Sequence, residues 1–281
     1  MAGRSDLACL LVALAVSGIA APATADDVAK LQDPSGDDNG PGGYIYPTDP
    51  VYAKGSFDLR QLTVSTDGDN VEIRIRVGAK VADPWRSKEW DGNGFSLQMA
   101  FVFFDTDGKP GSGHTEGLPG LNVAFDPAGA WDKVVLISPQ SAKRLHSEIE
   151  QKAKALQADI VIPERTRARG KELISVVSAK ALGGKPTAAW GYQVVLQSNE
   201  GYPGSTDLLT RKVNEYEGPH RFGGGNDHEC DPHAIDILAP PAKGEDSERA
   251  AQHKILGAHV CNADGTGKHA VLPMVVPAKL K

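Results

Sequence analysis

Residues 95–104, FSLQMAFVFF, are the most apolar run beyond residue 25, and they constrain the fold more than any other stretch. A run this apolar has no wet face, so it predicts a central strand covered on both sides. Nearby, Val71, Ile73, Ile75 and Val77 alternate strictly with Glu72, Arg74 and Arg76, the pattern of a strand with one buried and one solvated face. The run before it, residues 57–64, reaches it through Thr66-Asp67-Gly68-Asp69-Asn70, an Asp-Gly turn signal. Further short strands are expected at 121–125, 133–137, 160–162, 172–177, 190–196 and 234–238. One helix is expected over 141–158, with Leu145, Ile149, Ala153 and Leu156 on one side and Lys, Arg, Glu and Gln on the other. About nine or ten short β runs and one amphipathic helix, without an internal repeat or a domain linker, predict a single all-β domain, a β-sandwich, over residues 26–281. Residues 201–225 read as a long tethered loop, and the Ala-Pro-Pro-Ala at 239–242 and the Lys-rich end read as a tail.

The first 25 residues are a separate object. Arg4, the apolar run 7–21 and the small-residue ending Ala23-Thr24-Ala25 make the pattern of a secretory signal peptide cleaved near Ala25. The run is too short to span a bilayer and nothing later approaches it, so the mature protein is expected to be soluble, without a transmembrane segment, and secreted or periplasmic. Cys9 lies inside the apolar segment, which argues against a lipid anchor. Cleavage removes one arginine and one aspartate, so the net charge stays at -6. With that balance and no basic stripe, neither nucleic acid nor an anionic membrane is an expected partner. Cys230 and Cys261 remain, and an oxidising compartment favours a disulfide between them.

Residues 33–58, DPSGDDNGPGGYIYPTDPVYAKGSFD, hold more aromatics than a solvated linker would use, and are expected to be ordered. Asp33, Asp37 and Asp38 offer hard oxygen ligands, and Gly36, Gly40, Gly42 and Gly43 let the backbone turn tightly enough to present carbonyls beside them, which suits calcium. The same residue types are ordinary turn formers and show no EF-hand spacing, so both readings stand. Tyr44, Tyr46 and Tyr52 can lie on apolar surface with their hydroxyls wet, as at the rim of a ligand site. Asp105 and Asp107, alternate acids before Gly108, are a second calcium candidate that hairpin-turn chemistry explains about as well. Loop 82–94 carries Trp85 and Trp90, and an indole in a polar loop either plugs the end of a core or offers a flat face to a ligand. Trp85 follows a proline and suits the plug; Trp90, between Glu89 and Asp91, suits either. Trp131 sits between core strands.

No nucleophile elbow, Ser-x-x-Lys or His-Glu-x-x-His motif is present. His220, His228, Glu229, Cys230, Asp231 and His233 crowd strong ligands into one short segment. Three of them suffice for zinc with an open hydrolytic position, while a disulfide at Cys230 is the plainer account.

The opening stretch also carries a resemblance. DPSGDDNGPGGYIYPTDPVYAKGSFDL closely resembles the start of the glucodextranase-type C-terminal domain, also found at the end of amylopullulanases, which opens on Asp-Pro-x-Gly-Asp-Asp-x-Gly-Pro-Gly, continues with Tyr-x-Tyr-Pro-Thr and reaches Phe-Asp after a glycine. Further likenesses are Asp83-Pro84-Trp85 followed by Gly94-Phe95-Ser96-Leu97-Gln98, Trp131 after a glycine turn, and Trp190-Gly191-Tyr192. Arg221-Phe222-Gly223-Gly224-Gly225, Ile235-Asp236-Ile237-Leu238 and Gln252 complete the set. The resemblance spans about residues 31–256. It implies a β-sandwich of the carbohydrate-binding-module type, appended to glycosidases without being their catalytic domain, with a role in binding polysaccharide or the cell surface. Here the module follows a signal peptide with no catalytic domain beside it, so tethering an enzyme within the chain is not its expected task. The segment around His228 and the cysteine pair look like additions to the family pattern.

The expected protein is therefore an exported, non-catalytic module that binds carbohydrate or a cell-envelope glycan, with calcium as a structural aid and Tyr44, Tyr46, Trp85 and Trp90 as stacking residues. An aromatic content of 6% is modest support for stacking. One alternative is a secreted hydrolase, metal-dependent or a glycosidase, working through His220, His228 and His233 or through a carboxylate pair. A third reading, a periplasmic haem or redox binder, is disfavoured by the few methionines.

Overall fold

The computed structural model describes residues 26–201, 204–209, 211–226, 230–240, 245–264 and 266–277. The leader pattern, His228 and Glu229 lie outside the described residues. In chain order the elements are β1 (Asp26–Gln32), β2 (Leu59–Asp67), β3 (Asn70–Val77), β4 (Gln98–Asp105), β5 (Val123–Phe125), β6 (Lys133–Ile137), α1 (Ala142–Lys152), β7 (Ile160–Val161), β8 (Arg165–Arg169), β9 (Glu172–Ser178), β10 (Gly191–Ser198), β11 (Asp236–Ile237), α2 (Glu245–Leu256), β12 (Val260–Cys261), β13 (Gly267–Lys268) and β14 (Ala270–Leu272).

Two five-stranded sheets, β1-β2-β3-β9-β8 and β11-β10-β4-β6-β7, make an all-β sandwich. The alternation in β3 decides how the first sheet sits. Val71, Ile73, Ile75 and Val77 are fully buried and meet Ala100, Val102, Phe104, Tyr192 and Val194 of the second sheet in one apolar layer, while Arg74 pairs with Glu72 on the wet face. The continuous apolar run behaves as expected of a strand covered twice. In β4, Ala100, Val102 and Phe104 enter the layer between the sheets, and Met99, Phe101 and Phe103 enter a second layer on the far side. Each fully buried Phe of this kind contributes roughly 1.5–3 kcal/mol.

That second layer is roofed by Leu145 and Ile149 of α1, by Leu256 of α2, and by β5 paired in parallel with β14. Ser141 caps α1 by accepting the Arg144 N–H. The helix is shorter than its apolar periodicity predicts, because Ala153 leaves helical geometry (φ -137°, ψ 31°) and only a 3-10 turn, Lys154–Leu156, follows.

Between the two stretches read as a tail, whose residues 241–242 and 278–281 lie outside the described residues, the chain is part of the fold. Leu256, Ala270 and Leu272 are fully buried, and Val275 pairs with Tyr192. Helix α2 escapes a hydrophobic-stripe search because a polar side chain anchors it: Gln252 is fully buried, accepts the Ile237 N–H at 3.0 Å through Oε1, and donates through Nε2 to the carbonyl of Asp37. Strand β8 lies in a segment whose arginines read as a turn, and it forms the charged edge of the first sheet, which blunts edge-to-edge pairing. No described helix is long and apolar enough to cross a membrane.

Candidate functional site

The strands β10, β4 and β6 run antiparallel, with Gln98 opposite Ser198 and Ala100 opposite Ile137. The start of β4 and the ends of β6 and β10 therefore share one end of the sheet. Three connections converge there: the loop before β4, the entry to α1, and the exit from β10. Between them lies an open cleft of about 540 Å³, lined by Trp85, Trp90, Gln140, Ser141, Arg144, Asn199, Glu200 and His220.

The indole side is built by local turn chemistry. The Asp83 carboxylate accepts the Ser87 N–H at 2.9 and 3.0 Å and the Ser87 hydroxyl at 3.0 Å. Arg86 and Asp91, both in the left-handed region (φ 49° and 60°), bracket the 3-10 turn Ser87–Trp90 and fold it back on itself. Trp90 Nε1 then donates to the Trp85 carbonyl at 3.2 Å. Trp85 meets the His220 ring edge to face at 5.1 Å, and it packs from above on an apolar cluster of Tyr44, Tyr52, Phe57, Leu97, Val213, Phe222 and Ile235. Trp85 and Trp90, both half-buried, thus line one cleft.

The polar side is a chain of planar groups. Arg144 Nη1 donates to Gln140 Oε1 at 3.1 Å, Gln140 Nε2 donates to Asn199 Oδ1 at 2.9 Å, and Asn199 Nδ2 donates to Glu200 Oε1 at 3.1 Å. Burial holds the Glu200 carboxyl above its usual range, with Arg211 and His220 pulling it partly back. Such an arrangement presents donors and acceptors at fixed angles beside two indoles, which suits a neutral ligand rich in hydroxyls.

The tyrosines singled out from the sequence sit elsewhere. Tyr44 is 6% exposed and donates its hydroxyl to the Pro232 carbonyl at 2.7 Å. Tyr46 packs between Phe57 and Phe222, donates to Asp38 Oδ2, and accepts the Phe57 N–H at 3.1 Å. Their rings face the protein and their hydroxyls are used internally, so neither offers a stacking face. Burial raises both phenols above the ordinary range.

Of the acids in the opening stretch, Asp33 and Asp37 approach each other and are joined by Asp236 of β11, while Asp38 is engaged by Tyr46. Asp105 and Asp107 come together with Asp132 at the opposite end of the second sheet from the cleft. There the turn satisfies them: Asp105 Oδ1 accepts the Gly108 N–H at 2.8 Å, Asp107 Oδ1 accepts the Lys109 N–H at 2.9 Å, and Asp132 Oδ2 accepts the Thr106 N–H at 2.7 Å. The described members of the histidine-rich segment do not converge. His220 lines the cleft, His233 is buried and accepts the Val213 N–H at 3.2 Å, and Cys230 is bonded to Cys261 across a Cα distance of 5.5 Å. Asp231 and His259 lie near Cys261, but the disulfide removes the thiolate that a metal would need.

Residues 28–275, from the first strand to just beyond the last, match a family described as the C-terminal binding module, SLH-like, of glucodextranase. The chain belongs to this family. No curated protein matches it. The matched span of the binding module contains both sheets, the cleft and both cysteines.

Sequence reasoning missed Gln140, Arg144 and Glu200 as partners of the indoles. The available signal was positional: Gln140 and Arg144 flank a helix cap, and Glu200 stands two residues beyond the end of a strand. Which loop they face is a property of strand order, and that was not readable locally.

Proposed function

We propose that this protein is an exported, non-catalytic module that holds carbohydrate in the cleft of Trp85 and Trp90. The observation that carries the reading is the pairing of two indoles with a prearranged row of planar polar groups, Arg144, Gln140, Asn199 and Glu200, in one open cleft. A sugar ring has apolar C–H faces and a hydroxyl rim; indole takes the first, and amide, guanidinium and carboxylate groups take the second. Because those polar groups already hold one another, little rotamer freedom is left to lose on binding. Membership in a family of binding modules supports the same reading. The scattering of the described histidine and cysteine ligands favours binding over metal-assisted hydrolysis. Export is supported by the leader pattern at residues 1–25 and by the disulfide, which persists in oxidising compartments. Calcium, in this reading, serves the scaffold rather than the sugar contact.

A glycan array probed with the mature protein, followed by calorimetry on the hits, tests the cleft. At least one polysaccharide is expected to bind, and Trp90→Ala is expected to weaken it by about 2 kcal/mol, as for a hot-spot aromatic. A folded protein that binds nothing on the array, or binding untouched by both Trp90→Ala and Arg144→Ala, overturns the assignment. N-terminal sequencing of the exported protein should begin at Asp26, and retention of residues 1–25 would count against export.

A further inference from the structure

Away from the cleft, where the opening stretch meets β11, Asp33, Asp37 and Asp236 each bring a carboxylate oxygen within 4.8 Å of the other two. All three are buried, Asp37 and Asp236 completely. Asp33 Oδ1 accepts the Ala239 N–H at 2.8 Å, and Asp236 Oδ2 accepts the Leu59 N–H at 2.7 Å. Among the described residues, the other oxygen of Asp236 has no hydrogen-bond partner, and Asp37 accepts no hydrogen bond from another residue at either oxygen. Buried carboxylates are otherwise paired, hydrogen-bonded or bound to a cation. Their surroundings add to the tension. Burial first, and then Asp58 and Asp38, push the Asp37 carboxyl up to about 6 against the pull of Arg249. Burial, Asp33 and Asp37 likewise raise that of Asp236.

We propose that Asp33, Asp37 and Asp236 form a calcium site that bolts the opening stretch to β11. An all-oxygen, carboxylate-rich set calls for a hard cation. Oxygens bound to one calcium ion at 2.3–2.6 Å each stand at most about 5 Å apart, and these three atoms all lie within 4.8 Å of one another; magnesium requires a tighter octahedron and retains several waters. Asp236 lies far along the chain from Asp33 and Asp37, so this is no single-loop site of the EF-hand kind, and the ion acts as a cross-link. Its consequence reaches the cleft, because the stretch it holds carries Tyr44, Tyr52 and Phe57 into the apolar cluster on which Trp85 rests. This deepens the scaffold role given to calcium in the proposed function and does not require that the cleft bind sugar.

The test uses the mature full chain without any glycan, so its outcome is separate from that of the array. Elemental analysis of the purified protein comes first, followed by calcium titration and melting curves after chelation. One calcium per chain is expected, either retained on purification or taken up in the titration, with a melting temperature that rises with calcium concentration as binding to the folded state requires. Asp37→Asn and Asp236→Asn should each abolish the calcium response, and metal-free Asp37→Asn should melt above metal-free wild type because it removes a buried charge. Asp38→Asn and Asp107→Asn should leave the response intact. Melting curves that overlay with calcium and chelator in protein shown to be metal-free overturn the site. A response lost in Asp38→Asn but kept in Asp236→Asn overturns the ligand assignment, and an equal response to magnesium overturns the choice of ion.

Discussion

Trp90 and Trp131 show how one side chain takes opposite roles according to what surrounds it. Trp131 is fully enclosed, donates to the Glu116 carbonyl at 2.8 Å, and packs against Phe103 and His114. Its replacement by alanine should cost about 3–5 kcal/mol in urea unfolding, the usual range for a buried aromatic, whereas Trp90→Ala should change stability by less than about 1 kcal/mol. Glu200 makes a second residue-scale prediction. Its carboxyl is raised above the ordinary 4.5, mainly by burial, so the folded state holds the proton more tightly than the unfolded one. The stability it contributes is complete below pH 4.5 and is lost as pH rises through the raised value. Melting temperatures measured across that window should therefore fall less steeply with rising pH in Glu200→Gln than in wild type; parallel curves would show that Glu200 is not the group responsible.

At the scale of elements, Gly223, Gly224 and Gly225 are a place where chain meets chain. Ile45 and Gly223 exchange both backbone hydrogen bonds at 2.9 Å, which joins the opening stretch to the long loop after β10. Gly224 has φ 87°, and a Cβ there would overlap the Gly43 carbonyl oxygen; at Gly225 it would lie 2.8 Å from the Val213 oxygen. Gly224→Ala should therefore destabilise by more than about 1 kcal/mol through strain and backbone collision, with a lowered urea midpoint as the readout. The triplet resembles no phosphate loop, and its composition alone does not reveal the neighbour it makes room for. Strand β3 was legible because its alternation is a local record of one wet and one dry face. Helix α2 was not, because its anchor is the amide of Gln252 rather than a stripe of apolar residues.

For the molecule as a whole, the disulfide of Cys230 and Cys261 ties the long loop to β12, beside the last strands, over a sequence separation of 31. Reduction should remove about 3 kcal/mol of stability, by restoring freedom to the unfolded chain, and intact mass spectrometry of the unreduced protein should show two hydrogens fewer than the reduced form. Two free thiols after non-reducing alkylation would refute the bond. The sequence by itself determined the sandwich, since an apolar run without a wet face needs two covering layers and strict alternation supplies the sheet that provides one of them. It also determined that the opening stretch is ordered and that Trp85 and Trp90 share one loop. Only the tertiary structure decided that Tyr44 and Tyr46 turn inward, that Asp236 stands where Asp38 was expected beside Asp33 and Asp37, and that Gln140, Arg144 and Glu200 face the indoles. The reason is physical: burial periodicity is written in neighbouring residues, whereas the partner of a carboxylate or an indole is set by strand order, which brings together side chains far apart along the chain.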